Sequence, residues 1–216
     1  MTRAQLVSAL AFFLITCRAN AQMNCPTSHF VPTREYGAVI GDTGQIIHAQ
    51  VEKNKGDEVK FDYIEYQAYS QAEAGYTQIF RVSLFESEDK QWHIALVRQR
   101  RAVDKTSHGD IDILDRAIDA NHAEEVIRAA ADVLKRTHYP ATGCSVLYTD
   151  GYWSQAYVRP IDAMGEYVGE VYVPPEGSEA EGLIQLGRTL KNYISGKTAD
   201  AELENSLNRV RHALQP

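Results

Sequence analysis

Ser107-His108-Gly109-Asp110-Ile111-Asp112 sets an imidazole within four residues of two carboxylates. Those residue types at that spacing could hold a divalent cation, or work as an acid and base. The same stretch also reads as the start of a helix. Asp110 would then cap it, Asp112 would favour its positive end, and Gly109 would turn the chain. A second candidate is Cys144, in Thr142-Gly143-Cys144-Ser145, as a thiol nucleophile. No nearby His gives it the local signature of a cysteine enzyme. His122 with Glu124 and Glu125 is explained by capping at a helix start, and His93 falls on the solvent parity of a strand.

Two further groups could bind rather than react. Arg98, Arg100 and Arg101 would dock an acidic partner or simply solvate a strand end. Residues 148–172 hold Tyr148, Tyr152, Trp153, Tyr157, Tyr167 and Tyr172, more aromatic surface than a neutral region needs. Tyr and Trp pack cores, but they also anchor interfaces because they offer rigid, amphipathic contact area. Asp150-Gly151 suits a type I′ turn, which would make Tyr148 and Trp153 cross-strand neighbours. The expected partner-binding residues are therefore Tyr148, Tyr152, Trp153 and Glu170, with Asp150 and Glu166 adding charge at the rim.

Several chemistries leave no motif in the chain. It contains no dinucleotide or phosphate-binding loop, no His-Glu-x-x-His, no Gly-x-Ser-x-Gly, no Cys-x-x-Cys and no EF-hand pattern. No metal site and no cofactor is expected.

Met1 to Ala21 has the layout of a cleaved signal peptide. Arg3 is its basic start, Leu6–Ile15 its apolar run and Ala19-Asn20-Ala21 its small-residue cleavage site. The run is too short to span a bilayer, which needs about 20 residues. Leu14-Ile15-Thr16-Cys17 resembles the lipobox of bacterial lipoproteins, in which the Cys is acylated, although Thr16 departs from the usual small residue. Cleavage after Ala21 would leave residues 22–216 as a single domain. It would also remove Arg3 and Arg18, taking the formal net charge from −7 to −9. Such a charge argues against nucleic acid and suits a basic protein partner. Cleavage removes Cys17 and leaves Cys25 and Cys144 as an even pair, expected as a disulfide in an exported protein. That bridge would close a loop of about 120 residues, worth on the order of 4–5 kcal/mol. The absence of an N-glycosylation sequon favours a bacterial envelope.

The elements that would position these residues follow from period and turn signals. After an irregular lead-in over 22–36, a turn at Gly41–Gly44 precedes an expected short strand over 45–51. A strand over 58–69 changes parity, which predicts a bulge near Ile64. Phe80-Val82-Leu84 and Trp92-Ile94-Leu96 alternate as a hairpin with one buried face, joined by Ser87–Gln91. Residues 110–137 carry helical spacing with a break near Ala120-Asn121, where Asn121 and Glu124 could cap a new helix. Strands are expected over 144–149, 152–159 and 166–173. Ser178 with Glu181 caps a helix carrying Leu183, Leu186, Leu190 and Ile194 and stopped by Gly196; Thr198 caps the last helix. The order implies an α+β domain with a mainly antiparallel sheet built from hairpins, a central helical segment and two C-terminal helices packed on it. The expected function is an exported, non-enzymatic binding protein, such as a periplasmic inhibitor or immunity protein, or an accessory of an envelope secretion machine. The alternative is an exported hydrolase using His108 with Asp110 or Asp112, or Cys144.

Overall fold

A computed structural model describes Phe30 and residues 42–68, 76–102, 110–137, 151–161, 164–172 and 174–215. In chain order the elements are α1 (Asp42–Lys53), β1 (Gly56–Ala68), β2 (Tyr76–Ser87), β3 (Trp92–Ala102), β4 (Asp110–Ala117), α2 (Ala120–Leu134), β5 (Gly151–Val158), β6 (Tyr167–Tyr172), α3 (Glu179–Ile194) and α4 (Asp200–Ala213). The strands form one antiparallel sheet in the order β4-β3-β2-β1-β5-β6. β1 to β4 are a meander. After β4, at one edge, the chain passes through α2 and rejoins the sheet as β5 on the far side of β1. This is the α+β antiparallel class that the hairpin signals imply.

One face of the sheet carries most of the core. Phe61, Tyr63, Phe80, Val82, Leu84, Ile94 and Leu96 are buried there with Val126 and Ile127 of α2, Leu183, Leu186 and Leu190 of α3, and Leu203, Leu207 and Val210 of α4. α3 comes very close to the sheet at Gly187. A β-carbon at that position would stand 2.3 Å from the Tyr63 ring, so only glycine fits. Gly169 on β6 makes the same accommodation for Phe30, which is fully buried and also neighbours Leu134.

The second face is not solvent, which corrects the one-faced hairpin expected for β2 and β3. α1 lies on it and packs Ile47 and Val51 against Phe85, Ala95 and Val97. Residues 45–51 are thus helical rather than extended. Thr43, Ile47 and Val51 fall four apart and are all buried, a helical stripe that a single polar-rich turn of sequence obscures. His93, placed by parity in solvent, is instead half-buried, stacked on Phe85 with ring centroids 5.3 Å apart and 3.3 Å from Asp115.

Burial on both faces also removes the bulge expected near Ile64. Pairing runs unbroken from Phe61↔Leu84 to Ala68↔Thr77, and the irregularities lie earlier, between Gly56 and Phe61. Phe61 and Tyr63 serve the helical face, while Ile64 clusters with Ile79, Tyr66 and Trp153 on the other. Apolar residues of both parities are therefore needed.

Residues 110–117 are a strand, not the first part of a helix. They pair with β3 from His93↔Ala117 to Arg100↔Asp110. Two elements in sequence had mimicked one helical stripe. The break falls where expected, but Asp119 supplies the cap, accepting from the amides of Asn121 at 2.9 Å and His122 at 3.3 Å. Asp110 and Asp112 consequently cap nothing. Among the described residues no helix is long and apolar enough to cross a membrane.

Candidate functional site

His108, Cys25, Cys144, Tyr148 and Asp150 lie outside the described residues. Asp110 is exposed on the edge strand, opposite Arg100. Asp112 is ion-paired with Arg98 directly across the sheet, so its carboxylate is already committed. The site expected around His108 thus contributes one exposed carboxylate and one neutralised by arginine. No group of three His, Cys, Asp or Glu residues suited to a metal occurs among the described residues.

The aromatic candidates fall on β5 and β6. Trp153 is half-buried, and its two cross-strand positions are held by Tyr66 of β1 and Tyr172 of β6. Tyr152 occupies the register position opposite Gln67. Glu170 is half-buried and accepts a hydrogen bond from Gln155 Nε2 at 3.3 Å. By register, Trp153, Gln155 and Glu170 share the face turned away from α2, α3 and α4, together with Ile64 and Tyr66. Deeper on that face, Asp62 is buried and accepts from Arg81 Nε at 3.0 Å and Ser83 Oγ at 2.8 Å.

Sequence reasoning missed a polar cluster on the helical face. Tyr63 and Glu65 are both 0 % exposed. The Tyr63 hydroxyl donates to Glu65 Oε2 at 2.8 Å and lies 3.0 Å from Ser154 Oγ. Arg188 Nε of α3 donates to the same Glu65 oxygen at 2.8 Å, and Gln67 Nε2 donates to Oε1 at 2.6 Å. A buried carboxylate with this many donors is held in place, because each bond offsets part of its desolvation. Burial, and then the Glu65 charge, push the Tyr63 phenol well above its usual range. The Tyr63 phenol therefore keeps its proton at neutral pH. The signal for this cluster was present: Glu65 continues the inward parity of Phe61 and Tyr63, where a charge needs an explanation.

The cluster extends along one cross-strand row. Glu65, Phe80, Arg98 and Asp112 are successive partners on β1, β2, β3 and β4. Lys191 of α3 stands over Phe80, its Nζ 4.0 Å from the ring centroid. Burial depresses the Lys191 pKa, Glu65 works against that, and Arg188, Arg98 and Lys197 add to it. Arg98, singled out from the sequence as part of a basic patch, is one of the cations whose charge acts on Lys191. A separate groove of about 600 Å³ lies between the start of α3 and the end of α4, lined by Ser178, Glu181, Gln185, Arg209 and His212. Ser178 and Glu181 are already occupied there in capping α3.

Compared with protein-family models, with curated proteins and with solved structures, the chain matches none.

Proposed function

We propose that the protein is an exported, non-enzymatic binding protein. It would act by docking on another protein, as a periplasmic inhibitor, immunity protein or envelope-machine accessory does. The observation that carries this reading is the placement of Trp153. It sits half-exposed beside Tyr66, on a sheet face backed by the buried Ile64 and Ile79. A rigid aromatic on regular strands loses little side-chain freedom on docking. Glu170 lies nearby, and the overall charge of −7 favours a basic partner. The committed state of Asp112 and Glu65 supports binding over acid-base chemistry.

The test is affinity measured on the partner recovered from envelope extract. Loss of a buried aromatic anchor is worth ~2 kcal/mol or more, about a 30-fold weaker complex. Trp153→Ala is expected to dissociate faster by that factor, while Glu170→Lys slows association and changes its salt dependence. A correctly folded Trp153→Ala protein with unchanged affinity overturns the reading.

A further inference from the structure

We propose that β4 is a docking edge for a second copy of this chain. The two β4 strands pair antiparallel about a twofold axis at Ile113 and join two sheets into one. Strands β3, β2 and β1 separate this edge from β5, so the pairing does not rest on docking at Trp153.

The outer side of β4 is an open hydrogen-bonding edge. Ile118 donates its amide to the Trp92 carbonyl at 2.9 Å, and the register from His93↔Ala117 to Arg100↔Asp110 runs without a shift. Antiparallel pairs alternate, so Asp110, Asp112, Leu114 and Arg116 turn their amides and carbonyls toward β3. Ile111, Ile113 and Asp115 turn theirs outward, where no strand pairs with them among the described residues. Folded proteins blunt such edges with proline, bulges, exposed lysine or short strands. β6, at the opposite edge, is shorter and is followed by Pro174-Pro175. β4 carries none of those devices. Its Asp112 is held by Arg98, and its Asp115 by Asn54 and His93, so both carboxylates are engaged within the chain.

The side chains of this edge complement themselves. Ile111 and Ile113 are each 41 % exposed and stand at alternate positions, so they share one face, with Ile113 beside Val97 of the cluster under α1. A twofold at Ile113 sets that residue against its own copy and puts each Ile111 diagonal to it, an unbroken apolar row. Ile111 then exchanges backbone hydrogen bonds with Asp115 of the second copy, and Ile113 with Ile113. On the helical face the same register brings Asp110 opposite Arg116 of the second copy, at both ends of the pairing. Asp110 is exposed, and Arg116 has a buried Nε without a hydrogen-bond partner while its guanidinium lies 4.2 Å over the Tyr193 ring. An axis one residue earlier would oppose Asp112 to itself, and one residue later would set Ile113 against Asp115. Pairing through one strand buries less than the ~1,200 Å² of a standard stable complex, so the dimer is weak and forms with rising concentration.

The experiment is sedimentation velocity of the purified protein over a wide concentration range at physiological ionic strength, joined to amide hydrogen exchange at both ends of that range. The mass is expected to pass from one chain to two with a midpoint on the order of 10–100 µM. Exchange at Ile111, Ile113 and Asp115 should slow as the dimer forms, while Leu114 and Arg116, already bonded to β3, should not change. Ile113→Pro removes an outward amide and no bond to β3, so the folded variant should stay monomeric. Asp110→Lys alters an exposed residue, sets like charges opposite at both ends and should weaken the dimer about fivefold. Trp153→Ala should leave the dimer intact, which separates this edge from partner docking. A monomer at every concentration overturns the proposal. So does a dimer whose outward β4 amides exchange as fast as the monomer's, because the copies then meet elsewhere. Slowed exchange at those amides only on addition of envelope extract gives the edge to a different protein and overturns it equally.

Discussion

Tyr157 illustrates how a single side chain can report its surroundings. Burial, followed by the neighbouring Glu166 charge, raises its pKa to about 12, against an ordinary value near 10. The folded state therefore keeps a proton that the unfolded chain has lost. Stability from this group is fully present below about pH 10 and falls as pH rises through about 12. Tyr63 is shifted in the same direction, so both steepen the alkaline limb. Denaturation between pH 9 and 12, read beside phenolate absorbance, should show a shallower loss for Tyr157→Phe than for the unmodified protein. Ionisation of Tyr157 near pH 10 in the folded state would contradict its described environment. Glu65 teaches a complementary point. Its donors come from β1 and α3, 123 residues apart in sequence at the Arg188 contact, so no local window reveals that the charge is satisfied.

At the level of elements, the two C-terminal helices start differently although the sequence offers each a cap. Ser178 caps α3, its hydroxyl accepting from the Glu181 amide at 3.2 Å, while Glu181 reaches back to the Gly177 amide at 3.4 Å. α4 begins after Ala199, with no side-chain cap, so the Thr198 expected there plays no such part. Ser178→Ala should cost about 1 kcal/mol in urea denaturation, and Thr198→Ala should be close to neutral. Equal losses would mean that the two helix starts are held alike. The predicted capping box was legible because its pattern is local. The strand β4 was not, because Ile111 and Leu114 of β4, with Ile118 just after it, imitate the start of a helical stripe that α2 continues. What makes residues 110–117 extended is the free edge of β3, a partner that the local sequence cannot show.

For the whole molecule, the covering of both sheet faces is the main architectural fact. Three helices lie on one face and α1 on part of the other. Phe30 is fully buried on the helical face, against Gly169 and Leu134. Phe30→Ala should therefore destabilise the domain by about 3–5 kcal/mol, measurable by thermal or denaturant unfolding. A loss below ~1 kcal/mol would show that this anchor is dispensable. Processing after Ala21, if it occurs as proposed, retains Phe30, so export need not cost the fold this contact.

The sequence by itself determined the α+β class, the β2–β3 hairpin, the core stripes of α2, α3 and α4, and the stop at Gly196. Each rests on a period or a turn residue within one short window. Only the tertiary structure decided that α1 covers the second face, that β4 is a strand, and that Trp153 stands between Tyr66 and Tyr172. It alone set Lys191 and Arg188 against the row of Glu65, Phe80 and Arg98. The physical reason is the same throughout. Burial on a second face, strand partnership and the meeting of charges depend on residues distant in the chain, and a local pattern carries no record of its partner.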